Sequence, residues 1–470
     1  MVKFGTGGWR AIIGDEFTKE NVQILARAMV DKIKAEGVEK SGIVIGYDKR
    51  FLSKEAMQWT AQVFAACGIK SYLINKSAPT PLVMYYVMVH DMDYGMMITA
   101  SHNPALYNGV KVFTKGGRDA DEQQTIDIEE YIANVTDIPA EEMPYDVALE
   151  QGLIEEIYPE NSYIDNIIDA IDMKAIRDAE LKVAFDPMYG VSETSLKTIL
   201  LTARCQVETI NDSHDTLFGG RMPAPSVSTL RKLQTHVIDH GCDIGIATDG
   251  DGDRLGVIDD TGRYLHANDI LVLLYYYLVK YKGWEGPVVR NLCTTHMLDK
   301  IARSFGQECY EVPVGFKHIS AKMNAADAVI GGESSGGLTV RGHIKGKDGI
   351  YAASLLVEMI AITGKKLSEI VAEIEAENGT IFTEERDYKF TQAKKDRIVK
   401  ELLEDKLLPE LPCTIDKVSY LDGCKVYFEN DGWVVARFSG TEPLLRIACE
   451  MPEEADAKNI CDLFETFFDI

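Results

Sequence analysis

Apolar and polar positions recur with two different periods along most of the chain, and the two periods alternate in a regular order. The stretch ENVQILARAMVDKIKAEG, residues 20–37, has apolar residues at helical spacing and ends at a glycine. The stretch SGIVIGYD, residues 41–48, is a short and nearly continuous apolar run, typical of a strand in a parallel sheet. EAMQWTAQVFAACG and KSYLI predict the next helix and strand. This order predicts βαβ units.

The same order of strand, polar turn and helix begins again twice. LKVAFDPMYGVS starts a second unit near Leu181, and GPVVRNLCTTHMLDKIA starts a third near Gly286. HDMDYGMMITAS, HGCDIGIATDGD and NAADAVIGGESS each run from a helix end through an aspartate into an apolar strand; the aspartates are Asp93, Asp243 and Asp327. Six residues later each segment reaches the first residue of a polar loop: Thr99, Asp249 and Glu333. We interpret this recurrence as three related α/β domains.

The C-terminal part of the chain has a different pattern. GCKVYFENDGWVVARFSG predicts a hairpin that turns at residues 430–432, and a helix follows in EEADAKNICDLFETFF. These elements predict an α+β domain of roughly 90 residues. The segment 114–158 is acidic and less periodic, and we expect it to be the end of the first domain and a connection.

Composition limits the class of protein and its partners. A chain of 470 residues, 46% hydrophobic and 26% charged, is expected to form about three or four domains of a soluble globular protein. We find neither an apolar run long enough to span a membrane nor the apolar core of a signal peptide, so we expect a cytoplasmic protein. The net charge of -25 disfavours nucleic acid and anionic membranes, but not a small anionic ligand. The nine cysteines are scattered without a CxxC pair, which favours reduced thiols.

The loop TDGDGDR places three carboxylates at alternate positions: Asp249, Asp251 and Asp253. Carboxylates so close repel one another unless a cation neutralises them, and hard oxygen ligands suit Mg²⁺ or Ca²⁺. An EF-hand would need glycine and glutamate where Arg254 and Asp260 stand. The alternative is a solvated acidic turn. We favour a metal loop, because apolar strands on both sides hold the carboxylates together.

Two further loops indicate binding of a phosphorylated polyol. RFSGTEPLLR places Arg437 and Arg446 around a Ser-Gly-Thr turn, which suits a phosphate dianion. Of the carboxylates, only Glu442 is near enough in sequence to pair with both arginines. In GGESSGG, Glu333 and Ser335 could bind vicinal hydroxyls, although many turns have this composition.

Ser101 lies at the end of an apolar strand, in TASHNP, where a nucleophile could stand. A hydrolase serine is disfavoured, because the sequence has no GxSxG turn and the side chain of the adjacent His102 would normally diverge. Lys111 follows the YNG turn on the return strand, and points either toward the Ser101 loop or to solvent.

TASHNP, DGDGDR, GESSG and RFSGTEPLLR occur in the order and at the spacing of the α-D-phosphohexomutase family, which this chain resembles over essentially its whole length. The resemblance implies an α/β fold of four domains arranged as a heart around a central cleft. Three would be related α/β domains, followed by a C-terminal α+β domain. We place their boundaries at 1–155, 156–257, 258–376 and 377–470.

The resemblance also implies the roles of individual residues. Ser101 would carry a phosphoryl group and, with the three aspartates, would ligate Mg²⁺. The candidate catalytic residues are Ser101, Lys111, Arg10 and His102. The candidate substrate-binding residues are Arg254, Gly315, Lys317, Glu333, Ser335, Arg437, Ser439, Gly440, Thr441 and Arg446. Gly337 stands where many members have a histidine that is a candidate acid/base group; the nearest replacements in sequence are Lys317 and His318.

The implied activity is a phosphohexomutase that interconverts hexose 1-phosphate and hexose 6-phosphate through a hexose 1,6-bisphosphate, with glucose 1,6-bisphosphate as activator. We expect glucose phosphates first, then a phosphomannomutase or dual-specificity mutase, then a phosphoglucosamine mutase. The alternatives are a non-catalytic sugar-phosphate-binding protein on the same fold and a simple phosphatase. We expect a monomer or homodimer with a small-molecule partner.

Overall fold

The computed structural model describes residues 2–4, 8–138, 143–438 and 444–470. The chain divides into two compact units, residues 1–270 with 335–369, and residues 271–334 with 370–470. No helix among the described residues is both long and apolar enough to cross a membrane.

Strands and helices alternate through most of the described chain. The strands are β1 Trp9–Ile12, β2 Ile43–Tyr47, β3 Ser71–Ile74, β4 Tyr94–Ile98, β5 Tyr107–Thr114, β6 Arg118–Asp119, β7 Ile154–Ile157, β8 Lys182–Asp186, β9 Gln206–Thr209, β10 Ile244–Thr248, β11 Leu255–Ile258, β12 Tyr264–Leu265, β13 Val288–Asn291, β14 Cys309–Val312, β15 Ile330–Gly332, β16 Leu338–Val340, β17 Phe382–Lys389, β18 Ile415–Ser419, β19 Cys424–Phe428, β20 Trp433–Phe438 and β21 Leu444–Met451. The helices are α1 Lys19–Glu36, α2 Ser53–Ala66, α3 Thr80–Val89, α4 Glu122–Ala133, α5 Tyr145–Glu150, α6 Glu160–Ala170, α7 Met173–Ala179, α8 Glu193–Thr202, α9 Arg231–His240, α10 Ala267–Lys280, α11 Met297–Ser304, α12 Phe316–Ala326, α13 Gly349–Thr363, α14 Leu367–Asn378, α15 Gln392–Val399 and α16 Glu454–Phe468.

The first sheet of the first unit has the order β1-β5-β4-β2-β3-β7. Strands β4, β2, β3 and β7 run parallel, whereas β5 is antiparallel to β4 and to β1. Every residue of the central strands β2 and β4 is buried, which explains why their sequences are continuously apolar rather than alternating. Helix α1 begins after Thr18, whose side chain accepts a hydrogen bond from the Asn21 amide, and ends at Gly37, whose φ is 69°.

The segment 114–158 is more regular than its sequence pattern indicated. It contains helices α4 and α5, and its last strand, β7, pairs in parallel with β3 at the edge of the first sheet. The segment therefore contains regular elements, and its last strand belongs to the first sheet. Its helices show weak patterns because only Ile128 and Ile132 of α4 and Ala148 of α5 are buried.

The second sheet of the first unit has the order β12-β11-β10-β8-β9. Strands β10, β8 and β9 are parallel, and β11 returns antiparallel to β10. Helix α9 connects the edge strand β9 to β10 and buries Leu233 and Val237. Strand β10 is buried at every position and ends one residue before Asp249.

The second unit contains a parallel sheet and an antiparallel sheet. Strands β14, β13 and β15 are parallel neighbours in that order. The antiparallel sheet has the order β17-β21-β20-β19-β18, and α16 contacts β21 and β17. The predicted hairpin is confirmed, because β19 and β20 pair on either side of residues 429–432. The predicted class, α/β followed by a C-terminal α+β part, is confirmed.

The recurrence around the three aspartates corresponds to equivalent strand ends. Strands β4, β10 and β15 end at residues 98, 248 and 332. Thr99, Asp249 and Glu333 are therefore each the first residue after a strand. Polar groups placed directly after buried parallel strands lie where α/β proteins commonly bind ligands.

A buried ionic network links the two sheets within the second unit. The side chain of Lys425, on β19, is 2% exposed, and its Nζ donates to Glu311 Oε2 (2.7 Å) and to the Leu292 carbonyl (2.6 Å). Arg290 donates to the same Glu311 oxygen (2.6 Å) and to Asp299 (2.7 Å). Burial disfavours the charged form of Glu311, but His296 and the two cations outweigh burial and lower its pKa well below the ordinary value.

We predict that Glu311→Gln destabilises the second unit by about 3–5 kcal/mol, because two buried cations lose their shared anion. The measurement is the denaturant midpoint of the transition in which this unit unfolds. The control is Glu454→Gln, which removes only an exposed ion pair with Lys458 and is expected to leave the midpoint nearly unchanged. Equal midpoints for the two variants would contradict a structural role for the network.

Candidate active site

Ser101 lies in a strained turn that follows β4. Its φ is 53°, in the left-handed region that residues with a side chain seldom adopt, and it is 1% exposed. The Ser101 amide donates to Thr99 Oγ1 (2.8 Å), which supports the turn. The Ser101 hydroxyl donates to Asp249 Oδ2 (3.1 Å). The turn therefore directs the serine oxygen to the loop that follows β10.

Arg50 holds this turn in place. Its guanidinium donates to four backbone carbonyls, those of Ser101 (2.6 Å), Asn103 (2.6 Å), Pro104 (2.9 Å) and Tyr107 (2.9 Å). The Arg50 side chain is fully buried. One buried side chain therefore binds four carbonyls of the loop and ties its backbone together.

Asp48 fixes Arg50 in turn. One Asp48 oxygen lies 3.2 Å from Arg50 Nε and accepts a hydrogen bond from the Thr99 hydroxyl (2.7 Å). The other oxygen accepts from the Ser53 hydroxyl (2.7 Å) and the Arg50 amide (2.9 Å). A buried ion pair needs such additional hydrogen bonds to offset the loss of water.

The three aspartates converge as the sequence predicted. Asp249, Asp251 and Asp253 are at most 1% exposed, and each offers a carboxylate oxygen within 4.8 Å of the others. Glycine is required between them: a Cβ on Gly250 would lie 2.9 Å from the Ser101 carbonyl oxygen, and Gly252 has a φ of 75°. Burial, together with the charges of Asp251 and Asp253, raises the pKa of Asp249 well above its ordinary value.

Lys111 points into this cluster rather than to solvent. Its Nζ donates to Asp251 Oδ2 (2.6 Å) and Asp253 Oδ2 (2.7 Å). Burial disfavours the ammonium, but these two carboxylates outweigh burial and raise the Lys111 pKa. The Thr80 hydroxyl also donates to Asp251 Oδ2 (2.6 Å). The Lys111 side chain therefore remains charged and compensates part of the negative charge.

The remaining oxygens fit a divalent cation. Asp251 Oδ1 and Asp253 Oδ1 are buried and have no hydrogen-bond partner among the described residues. Two unpartnered carboxylate oxygens beside a third carboxylate and a serine hydroxyl form a set of hard oxygen donors, which Mg²⁺ prefers. The donor set thus fits a Mg²⁺ ion.

Basic and imidazole side chains adjoin the serine loop. Arg10 Nη1 donates to Asn103 Oδ1 (3.0 Å), and His102 Nδ1 lies 3.4 Å from Ser101 Oγ. Burial, with the charges of Arg254 and Arg10, lowers the His102 pKa to about 2, so its imidazole is neutral. Burial and the Arg254 charge likewise lower the Arg10 pKa. The positive charges of Arg10 and Arg254 repel each other, and an anionic ligand bound by both guanidinium groups would reduce that repulsion.

Lys347 is a site residue that sequence reasoning missed. Its Nζ lies 3.5 Å from Asp253 Oδ2. A Cβ on Gly337 would lie 2.1 Å from Lys347 Cδ, so this lysine occupies the space that a side chain at position 337 would need. Ser335 lies in the same unit, between β15 and β16.

The second unit contains the other predicted binding residues. Gly315, with a φ of 126°, precedes α12, Lys317 is the second residue of that helix, and Glu333 follows β15. Arg437 on β20 and Arg446 on β21 are directly opposite each other in the antiparallel ladder. Opposite residues share one face of a sheet. Ser439, Gly440 and Thr441 lie outside the described residues.

The two arginines have carboxylate partners on other parts of the fold, one on a strand and one in the loop between β18 and β19. Arg446 donates to both oxygens of Asp387 on β17 (2.8 Å each), and Arg437 Nε lies 2.9 Å from Asp422 Oδ1. Neither carboxylate pairs with both arginines, and both pairings join segments that are distant along the chain, so neighbours in sequence gave no signal of them.

The signal for Arg50 was present in the sequence but was ambiguous. It lies in GYDKRFLSKE, three residues after the end of the buried strand β2. Its role depends on a loop more than 50 residues farther along the chain, and one sequence does not show that pairing.

Four domain families match successive parts of the chain. They are described as phosphoglucomutase/phosphomannomutase alpha/beta/alpha domain I (residues 1–138), domain II (residues 161–262) and domain III (residues 266–377), and the C-terminal domain (residues 388–466).

Whole-length relatives and a solved structure agree with these matches. A phosphoglucomutase/phosphomannomutase of Thermococcus kodakarensis is 30% identical over 98% of this chain and 97% of its own. A phosphoglucosamine/phosphogalactosamine mutase of Sulfurisphaera tokodaii is 28% identical over 97% of each chain. A solved candidate phosphomannomutase of Thermus thermophilus has a TM-score of 0.85 at 29% identity, covering 100% of this chain and 99% of that one.

We predict that Asp251→Asn weakens divalent-cation binding about tenfold or more, because the loop loses one of its charged ligands. Mn²⁺ binding followed by electron paramagnetic resonance measures the effect. The matched control is Asp178→Asn, which removes an exposed carboxylate paired with Lys174 and should leave the affinity unchanged. Equal Mn²⁺ affinity in both variants would exclude the loop as the cation site.

Proposed function

This chain belongs to the phosphoglucomutase/phosphomannomutase family of phosphohexomutases, enzymes that transfer phosphate intramolecularly, and on that premise we propose that it interconverts glucose 1-phosphate and glucose 6-phosphate through a phosphoserine at Ser101. The observation that carries the proposal is the hydroxyl of Ser101, buried and 3.1 Å from a carboxylate of the aspartate cluster. A serine of an ordinary turn would need neither the strained backbone nor that neighbour.

The proposed cycle consists of two phosphoryl transfers separated by a reorientation. A free hydroxyl of the hexose phosphate attacks the phosphorus of phosphoserine 101, the bond from phosphorus to Ser101 Oγ breaks, and the hydroxyl loses its proton. The product of this step is a hexose 1,6-bisphosphate. After it turns around, its other phosphate returns to Ser101 and the isomeric monophosphate leaves. Atoms balance, and the enzyme ends phosphorylated as it began.

Asp249, Asp251 and Asp253, with the phosphoserine, would hold Mg²⁺. When bound, the ion would draw charge off the transferring phosphoryl group. Lys111 would stabilise the same charge, since its raised pKa keeps it protonated. Arg10 and Arg254, whose charges act on His102, would bind the phosphoryl oxygens.

The proton of the attacking hydroxyl needs an acceptor. Lys111 and Arg10 are proposed participants in this proton transfer as donors, since the raised pKa of Lys111 keeps it protonated, and Lys317 and His318 are the other candidates. The imidazole of His102 lies 3.4 Å from Ser101 Oγ and is neutral, but its pKa, lowered to about 2, makes it a weak base, so we expect it to hydrogen-bond there rather than to hold the proton. Lys347 belongs to the same group of candidates, since it lies beside Asp253.

The phosphate that does not react must be held in both orientations of the sugar. We assign this role to Arg437 and Arg446, together with Ser439, Gly440 and Thr441. Support comes from the two arginines, which are directly opposite each other on adjacent strands. Gly315, Lys317, Glu333 and Ser335 would contact the sugar. The domain boundaries after residues 155, 257 and 376, expected from the sequence, remain a prediction.

The identity of the sugar is the most specific part of the proposal. Glucose is placed first because Gly337 stands where members that act on both glucose and mannose phosphates often have a histidine, and Lys347 lies in the adjoining space. Glucosamine phosphate is a second candidate, favoured by relatives named as phosphoglucosamine mutases, such as that of Ruminiclostridium cellulolyticum, 28% identical over 95% of this chain and 94% of its own. Mannose phosphate, second in the order expected from the sequence, is the third candidate here, supported by the Thermococcus kodakarensis relative.

Competition between sugars tests the proposal directly. Glucose 1-phosphate, mannose 1-phosphate and glucosamine 1-phosphate are supplied together at equal concentration with Mg²⁺ and a trace of glucose 1,6-bisphosphate, and products are followed by ³¹P NMR. We predict that glucose 6-phosphate forms fastest. Faster formation of either other 6-phosphate would overturn the glucose assignment but not the mutase. Inorganic phosphate as the main product would indicate a phosphatase, and no product would indicate a binding protein.

Arg50 is expected to position the nucleophile without touching substrate. We predict that Arg50→Lys lowers kcat about a hundredfold, because an ammonium cannot reach four carbonyls at once and the Ser101 oxygen moves. The measurement is steady-state kinetics together with Mn²⁺ affinity, which should fall far less than kcat, because the three aspartates keep their positions and Arg50 contacts none of them among the described hydrogen bonds.

The control for this variant is Arg27→Lys, whose guanidinium pairs with Asp31 and Asp137 at the surface of α1. It should retain normal kcat. If Arg50→Lys behaved like the control, the four contacts of Arg50 with the serine loop would not be a requirement of catalysis.

A further inference from the structure

Two histidines and a glutamate converge in the second sheet of the first unit, outside the candidate active site. His236 and His240 are four residues apart on α9, and Glu208 lies on the neighbouring edge strand β9. His236 Nε2 lies 2.7 Å from Glu208 Oε2, and His240 Nδ1 contacts the same oxygen. The three ligand atoms all lie within 4.8 Å of one another.

The packing of α9 and the spacing of its two histidines determine this arrangement. Leu233 and Val237 anchor α9 in the core, and the helical spacing of four residues places the two imidazoles one above the other, with ring centroids 4.0 Å apart. Helix α9 lies between β9 and β10 in the chain. In the folded unit, its two imidazoles lie beside the carboxylate of β9.

Lys182 orients the carboxylate. Its Nζ lies 2.8 Å from Glu208 Oε1 and donates to the His240 carbonyl (2.9 Å). The lysine therefore occupies one carboxylate oxygen and leaves Oε2 facing both imidazoles. Hydrogen bonds from Lys182 and from the two histidines lower the Glu208 pKa to about 2, so the carboxylate is charged at neutral pH. Ligand orientation by an outer residue is common in metal sites.

We propose that Glu208, His236 and His240 form a binding site for a borderline transition-metal ion such as Zn²⁺, chemically distinct from the all-oxygen site at the three aspartates. Two imidazole nitrogens and one carboxylate oxygen match the ligands that Zn²⁺ takes in three-ligand protein sites. Imidazole nitrogens favour Zn²⁺, Ni²⁺ and Cu²⁺, whereas Mg²⁺ prefers oxygen donors. The two sites would thus select different metals.

The site would be open to solvent and would act on stability. The His240 side chain is 46% exposed, so water can complete a tetrahedral coordination. Each ligand atom sits on a different position of α9 or on β9, and an ion bound by all three would tie the helix to the edge strand. Such an ion stabilises the folded state by an amount that rises with the logarithm of its concentration above the dissociation constant.

Co²⁺ and Zn²⁺ are the probes, used with the full chain in excess Mg²⁺ so that the aspartate site is occupied. We expect wild-type protein to bind Co²⁺ with the intense visible absorption of a four-coordinate ion, and Zn²⁺ to raise the melting temperature. His240→Gln and Glu208→Gln should each weaken Co²⁺ binding about tenfold or more and remove the Zn²⁺ shift. His214→Gln, which changes an exposed histidine outside the cluster, is the matched control and should behave as wild type.

Asp251→Asn separates the two sites. The proposal requires that the Co²⁺ absorption persists in Asp251→Asn and disappears in His240→Gln. The reverse pattern, or equal Co²⁺ affinity in wild type, His240→Gln and Glu208→Gln, would overturn it. Melting temperatures measured without metal show whether each variant is folded, so that a loss of binding is not mistaken for a loss of structure.

Discussion

Three carboxylates gathered in a buried loop beside a serine hydroxyl are the constraint on which the candidate active site depends. Their mutual repulsion and their loss of contact with water oppose folding. The same two effects raise the pKa of Asp249. Lys111 offsets part of the charge, and a divalent cation would offset the rest. Features that are otherwise unexplained follow from this need: glycines between the aspartates, a lysine aimed inward from β5, and carboxylate oxygens without partners among the described residues.

The serine loop is the second half of the same constraint. A phosphoryl group can pass between Ser101 and a sugar only if the serine oxygen stays fixed beside the metal ligands. The left-handed turn directs the Ser101 oxygen toward the aspartate loop. Arg50, which Asp48 holds in place, makes the turn rigid by binding four of its carbonyls. Function therefore depends on a buried arginine that hydrogen-bonds to none of the three aspartates among the described residues and, in the proposed cycle, does not touch the substrate.

Periodicity and loop chemistry predicted much of this from the sequence. The strands before Thr99, Asp249 and Glu333 and the hairpin around residues 429–432 are as predicted, because buried parallel strands and tight turns leave local signals. Contacts between distant segments left no local signal in the sequence. Arg50 and the Asp387 partner of Arg446 depend on pairing across the fold, and segment 114–158 buries too few residues to show a clear period.

Locating the phosphate on the enzyme tests the central claim most directly. The protein is incubated with glucose 1,6-bisphosphate and Mg²⁺, and the tryptic peptide of residues 77–111, which contains Ser101, is sequenced by mass spectrometry. The account predicts one phosphate, carried by Ser101, and none in Ser101→Ala treated identically. A phosphate on another residue of the active wild-type enzyme, or full turnover by Ser101→Ala, would contradict the account.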